Sequence, residues 1–190
     1  MDLLKERICA DGKVLNEDIL KVDSFINHQV DCELMVKIGE DFAKHFRNID
    51  ISKVVTIESS GIAPAFATSN ILNVPLVIFK KQTSKILDKD LLQTEVFSFT
   101  KGKSYQLTAS RKFLNASDKV LFIDDFLANG EAGLGASRLL RMAGCSLAGI
   151  GIVIEKSFQS GRKKLEALGV DIYSLARIKA FKNGKVEFLD

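Results

Sequence analysis

The amino-acid sequence predicts an α/β fold: a central parallel sheet flanked by helices, in one domain spanning residues 1–190. Two observations carry that prediction. Short runs rich in β-branched residues, at Val54-Val55-Thr56-Ile57, Leu76-Val77-Ile78-Phe79, Val120-Leu121-Phe122-Ile123 and from Leu147 to Ile154, read as strands buried on both faces. Helical stretches separate them, and strands alternating with helices require crossover connections and hence a parallel sheet. A length of 190 residues suffices for one well-cored domain and is short for two.

In chain order, Asp2 to Ala10 reads as a short amphipathic helix closed by Asp11-Gly12, and Val14 to Val30 is less regular. Asp31 stands where it would cap a helix from Cys32 to Asn48, in which Met35, Ile38, Phe42 and Phe46 recur at helical spacing. The first strand leads to a helix from Ala63 to Leu72, and the second to a polar stretch holding Lys80, Lys81, Lys85 and Lys89. Val96-Phe97-Ser98-Phe99 and Tyr105-Gln106-Leu107-Thr108 alternate about a turn at Lys101-Gly102-Lys103. That pattern predicts an antiparallel hairpin, a flexible flap over a site at about residues 81–111. The α/β rhythm resumes at Lys119, with helices from Glu131 to Ala143 and from Ser157 to Leu168. Final strands run from Ile172 to Ile178 and from Val186 to Leu189, about the turn Asn183-Gly184.

Composition narrows the partners. Net charge is +3 and the 27 basic residues are dispersed, which argues against a nucleic-acid partner. The longest apolar runs are strand-sized, so no membrane span is expected. Cys9, Cys32 and Cys145 are odd in number and far apart, matching neither a disulfide framework nor a zinc site and suggesting a reducing cytoplasm. His28 and His45 have no cysteine or acid at metal spacing, so no protein-held metal is expected.

The chemistry concentrates at Val120 to Ala132, V-L-F-I-D-D-F-L-A-N-G-E-A. An apolar strand ends in Asp124 and Asp125, and Ala128-Asn129-Gly130 then turns into a helix N-terminus, which attracts anions. Glu58-Ser59-Ser60-Gly61 and Glu155-Lys156 close two other predicted parallel strands, so the three clusters belong to the same sheet edge, where such folds bind ligands. Two anion sites flanking an acid pair suit a sugar phosphorylated at both ends. A P-loop is excluded, because Gly102-Lys103-Ser104 has the right tail but Phe97 stands where the first glycine belongs. No strand is followed by G-x-G-x-x-G, which excludes a dinucleotide fingerprint.

With these residues in view, Val120 to Ala132 resembles the phosphoribosyl-diphosphate (PRPP) motif of the type I phosphoribosyltransferases. Asp23 to Gln29, Thr56 to Ala65 and Gly149 to Gln159 are similar to stretches of the xanthine-specific members, so the resemblance covers essentially the whole chain. It implies the type I phosphoribosyltransferase fold, with a small hood built from residues 1–33 and about 155–190. It also implies transfer of the phosphoribosyl group of PRPP to xanthine, giving xanthosine 5'-monophosphate and diphosphate in purine salvage. Mg2+ carried on the diphosphate and a cytoplasmic homodimer follow from the same resemblance.

Carried over residue by residue, the resemblance makes Asp124 and Asp125 the catalytic acids that hold the ribose hydroxyls. Ala128, Asn129, Gly130, Glu131 and Ala132 bind the 5-phosphate end of PRPP. Glu58, Ser59, Ser60 and Gly61 form the diphosphate loop, with Lys80 or Lys81 neutralising diphosphate, and Leu20, Asn27 and Lys156 recognise the base. Asn27 donates and accepts, whereas Lys156 only donates and so suits the oxygens of xanthine. The chain departs from the family's usual Thr-Gly-Gly-Thr phosphate loop. Ala128 also replaces the acid with which some purine-specific members take the purine proton. Xanthine, being the more acidic purine, needs that base least. Hypoxanthine or guanine as the base, and a non-catalytic PRPP-sensing regulator, are the alternatives.

Overall fold

The computed structural model describes residues 1–81, 90–99 and 102–189, so Lys85, Lys89 and Lys101 lie outside the described residues. β1 (Lys13–Val14) and β2 (Leu20–Lys21) form a small antiparallel ribbon. The main sheet comprises β3 (Lys53–Ile57), β4 (Leu76–Lys81), β5 (Leu91–Ser98), β6 (Lys103–Ser110), β7 (Lys119–Leu127), β8 (Ser146–Lys156), β9 (Asp171–Lys182) and β10 (Lys185–Phe188). Among the described residues its spatial order is β10-β9-β8-β7-β3-β4-β6-β5. The run β9-β8-β7-β3-β4 is parallel, and the outer strands β10, β6 and β5 are antiparallel to their neighbours. The expected type of sheet is therefore present, with the hairpin joined to its edge.

Side chains alternate across each strand, and the two faces of β7 serve two cores. Leu121 and Ile123 join Val54, Val153 and Leu175 under Phe42 of α2 (Cys32–His45), Phe46 just beyond it, and α1 (Asp2–Asp11). Val120 and Phe122 join Val55, Ile150 and Ile152 under Leu139 and Leu140 of α4 (Glu131–Ala143). Burial on both faces is why these strands read as unbroken apolar runs rather than alternating ones. Asp31 caps α2 as anticipated, its Oδ1 accepting the Leu34 N–H at 3.1 Å.

Three expectations change. The strands carrying the polar clusters do not stop before them: β7 continues through Asp124 and Asp125 to Leu127, and β8 through Glu155 to Lys156. Parallel pairing extends strands that a local reading ends at the first charge: β8 accompanies β7 as far as Leu127, and β9 accompanies β8 as far as Lys156. The helix expected from Ser157 to Leu168 is only Gly161–Glu166 (α5), because Ser157 N–H bonds the Ile178 carbonyl and Gln159 N–H the Lys156 carbonyl, forming a turn instead. The helix expected to reach Asn48 ends at His45. The irregular N-terminal stretch contains a π-helical turn, Asp23–Asn27, which buries Phe25 and Ile26.

Gly39 of α2 lies against α3 (Ile62–Leu72), and a Cβ there would stand 2.7 Å from the Ala67 carbonyl carbon and 2.9 Å from its oxygen. Backbone cannot swing aside as a side chain can. Gly39→Ala should cost about 1–3 kcal/mol by overpacking, read as a lower urea midpoint with an unchanged slope.

Candidate active site

The C-terminal ends of β3, β4, β7 and β8 meet along one edge, and a cleft of about 230 Å³ opens there. Its wall includes Asp124, Asp125, all of Ala128 to Ala132, and Lys81. The β5–β6 hairpin supplies the opposite wall through Val96, Phe97, Phe99 and Tyr105. The flap expected at residues 81–111 is thus partly a sheet extension: β6 pairs with the end of β4, Lys80 with Thr108 and Lys81 with Leu107.

Asp124 is buried, its Oδ1 accepting the Asp125 backbone N–H at 3.0 Å. Burial, and then the charge of Asp125, push the Asp124 carboxyl well above the usual carboxylate range, against the opposing charge of Lys81. Asp125 is pushed up as well, again chiefly by burial. Among the described residues, Lys81 is the cation whose charge opposes both shifts.

The turn after β7 is shaped by glycine. Gly130 has φ 82°, a left-handed conformation that releases the chain into α4 with its first backbone N–H groups free for an anion. Gly161, at the start of α5, packs directly on this turn. Its N–H donates to the Ala128 carbonyl at 3.0 Å, and a Cβ there would collide with that oxygen and stand 2.9 Å from the Gly130 nitrogen. Lys164 Nζ adds an ion pair to Glu131 Oε1 at 2.7 Å. A glycine inside an expected helix gave no sequence signal for this buttress; only the fold brings it to the loop.

Glu58 to Gly61 follow β3 with a cis peptide between Glu58 and Ser59. Glu58 Oε1 accepts the Lys81 N–H at 2.6 Å, and Lys80 Nζ lies 3.2 Å from Oε2. A Cβ on Gly61 would collide with Thr56 Oγ1 and stand 3.0 Å from Asp124 Oδ1, so this loop rests on the acid pair. Lys81 Nζ lies 5.7 Å from the centre of the Tyr105 ring, whose phenol burial pushes up to about 12.

The three expected base contacts lie outside the cleft wall. Lys156 adjoins it, its ammonium 5.4 Å from the centre of the Phe126 ring, which does line the cleft. Burial pulls the Lys156 ammonium down, opposed by the charges of Asp18 and Asp125. Leu20 is buried in the N-terminal ribbon, two residues beyond Asp18, whose carbonyl accepts from Lys156 Nζ at 2.6 Å. Asn27 is exposed, its Oδ1 3.2 Å from His28 Nδ1. Glu155, the neighbour of Lys156, turns the other way. It is fully buried and bonds Arg162 at 2.6–3.0 Å, Ser157 Oγ at 2.6 Å and Ser174 Oγ at 2.5 Å. Those bonds outweigh its burial and hold it at about 2. His45, without an acid at metal spacing in the sequence, meets one in space: its Nε2 lies 2.6 Å from Asp171 Oδ2.

A parallel α/β sheet with an acid pair on its central strand and a glycine-shaped turn into a helix beside it makes up the wall of this cleft. The same fold occurs in the adenine phosphoribosyltransferase of Giardia lamblia crystallised with 9-deazaadenine, with a TM-score of 0.78 at 21% identity over 92% of this chain and 97% of that one. The Trypanosoma brucei adenine enzyme superposes with a TM-score of 0.77 at 19% identity, covering 92% of this chain and 79% of that one. Residues 33–179 match the phosphoribosyl transferase domain, and the chain belongs to that family of transferases. It is 58% identical over 189 residues to xanthine phosphoribosyltransferase 1 of Clostridium botulinum, the match covering 100% of both chains. It is also 58% identical to the xanthine phosphoribosyltransferase of Agathobacter rectalis, over 100% of this chain and 99% of that one.

An acid whose carboxyl is raised in the folded chain opposes folding once the pH exceeds its unfolded value, and that opposition disappears as acid protonates it. Asp124→Asn should therefore melt higher than the parent at about pH 8, with the gap narrowing toward about pH 4. Calorimetry across that range checks it; a lower melting temperature for the variant throughout would contradict the uncompensated burial of Asp124.

Proposed function

We propose that the chain is a xanthine phosphoribosyltransferase of purine salvage, transferring the phosphoribosyl group of PRPP to xanthine and releasing diphosphate. The observation that carries this reading is the cleft in which an under-neutralised acid pair faces the glycine-shaped turn at Gly130, with the Lys156 ammonium beside its Phe126 wall. The 51–58% identity to six bacterial proteins named for xanthine supports the choice of base.

In this reading the free N–H groups at the start of α4, with the Asn129 amide, hold the 5-phosphate of PRPP. Asp124 and Asp125 accept from the ribose hydroxyls and favour positive charge growing on the sugar as the bond to diphosphate breaks. Glu58 to Gly61, with Lys81, receive the departing diphosphate. Lys156 donates to an oxygen of xanthine; a purine presenting an amino group there would leave two donors facing each other in a buried pocket. Asn27 and Leu20 complete the base side, under a hood formed by residues 1–33 and about 155–190.

Mg2+ on the diphosphate suits this donor set. Among the described residues no group of three or more His, Cys, Asp or Glu side chains stands ready to hold a metal. Mg2+ commonly keeps phosphate oxygens and waters and takes only one or two carboxylates, which the acid pair can offer. When bound it would neutralise charge on the leaving diphosphate. The exposed apolar side chains of α3, Phe66 and Ile71, support a homodimer. No helix among the described residues is long and apolar enough to cross a membrane, and the free thiols Cys9, Cys32 and Cys145 support a cytoplasmic setting.

Diphosphate release from xanthine, PRPP and Mg2+ tests the reading directly. Turnover with xanthine should exceed that with hypoxanthine or guanine; equal efficiency would overturn the choice of base, and no release by folded protein would favour a PRPP-sensing regulator. Lys156→Ala should raise the xanthine KM about tenfold or more while leaving the PRPP KM in place.

A further inference from the structure

The turn proposed to hold the 5-phosphate of PRPP contains an acid of its own. Glu131 opens α4 directly after Gly130, and it lines the cleft beside Asn129 and Ala132. A carboxylate in the first turn of a helix is favoured by the same dipole and the same free N–H groups that attract a phosphate. The two anions therefore compete for one end of α4, and they repel each other. A phosphate can settle there only if the charge of Glu131 is disposed of.

α5 supplies the means. Its Lys164 Nζ lies 2.7 Å from Glu131 Oε1, and the same ammonium stands 5.7 Å from the centre of the Phe99 ring. Glu131 and Phe99 both belong to the cleft wall, one on the turn after β7 and the other just beyond β5. Lys164 is not part of that wall, so it meets a ligand through Glu131 rather than directly. Its place is fixed from both sides. The N–H of Gly161, at the start of α5, donates to the Ala128 carbonyl at 3.0 Å. The adjoining Leu165 is fully buried, and a Cβ on Gly133 of α4 would stand 3.0 Å from its Cδ2. The Phe99 ring, itself held edge-on to Phe97 at 4.9 Å, attracts the ammonium from the hairpin side.

We propose that Lys164 is a positioning residue for the phosphorylated end of PRPP: it neutralises Glu131 and holds that carboxylate to α5, clearing negative charge from the start of α4. The inference rests on the reading of the cleft as a PRPP site. Its direction follows from charge. With Lys164 in place, the turn and its partner carry one side chain of each sign; without it, an unopposed carboxylate faces the phosphate.

Titration calorimetry on the full chain tests this, with PRPP and Mg2+ as one ligand and diphosphate and Mg2+ as a probe that lacks the 5-phosphate. The melting temperature of each variant checks its folding. Lys164→Met, apolar and of similar length, should weaken PRPP about five- to tenfold and leave diphosphate within about twofold. Lys164→Arg keeps the cation and should bind PRPP within about twofold of the parent. Glu131→Gln added to Lys164→Met should return PRPP affinity to within about twofold of the parent, because no charge is left to neutralise. A structural strut would not be rescued in that way. Unchanged PRPP affinity in Lys164→Met, equal losses for both ligands, or a loss that persists in the double variant would overturn the assignment. A parent protein that binds diphosphate but not PRPP would instead refute the PRPP reading of the cleft, before any variant is compared.

Discussion

The structure depends on holding a poorly neutralised carboxylate where the backbone is least free to yield. Asp124 lies on β7, which is paired on one side to β3 and on the other to β8. Val120, Leu121, Phe122 and Ile123, just before it, are almost wholly buried. Burying four such side chains contributes about 1.5–3 kcal/mol each, and the strand they anchor carries Asp124 into the interior, where burial raises its carboxyl. Gly61 then brings the next loop to within contact of the same carboxylate, and Gly161 packs against the turn after β7. A carboxyl held in this way is relieved by a proton, or by donors or a cation brought to it.

Glu155, on the adjacent strand, shows the opposite use of a buried carboxylate. Asp124 is raised by burial and by the charge of Asp125; Glu155 is lowered to about 2 because Arg162, Ser157 and Ser174 surround it. Its contribution to stability is present above the ordinary glutamate range and is lost as the pH falls toward 2. The network ties β8, α5 and β9 together at the point where Lys156 leaves the sheet and Gly161 meets the turn after β7. In the proposed reading, base side and phosphate side would share one segment, residues 155–161.

Much of this was legible in the chain. The strands came through because burial on both faces demands unbroken apolar runs, and α4 is bounded by Glu131 and Ala143 as the sequence reading had it. The limits of β7, β8 and α5 were not legible, because ladder pairing carries a strand past its first charge and a tight turn at 156–159 competes with the helix. Asp124, Asp125 and the turn from Ala128 to Ala132 could be read as one group because they are contiguous. Gly161, Tyr105 and Asp18 could not, since each reaches the site edge from a distant part of the sequence.

By itself, then, the sequence determined the sheet type, the place of the acid pair and of the turn that follows it and, through resemblance, the family. These are properties of short stretches, set by side-chain size, charge and glycine's freedom of φ. Tertiary structure decided which of two carboxylates is satisfied and which is left waiting, how a hairpin becomes a cleft wall, and that Asp18 grips both Lys156 and Gln159. Those outcomes depend on how separate elements pack, for Asp18 on partners 138 and 141 positions away, and no local pattern encodes them. Returning to the stretch from Val120 to Ala132, its acids were visible from the start; their want of a partner became visible only once everything around them was in place.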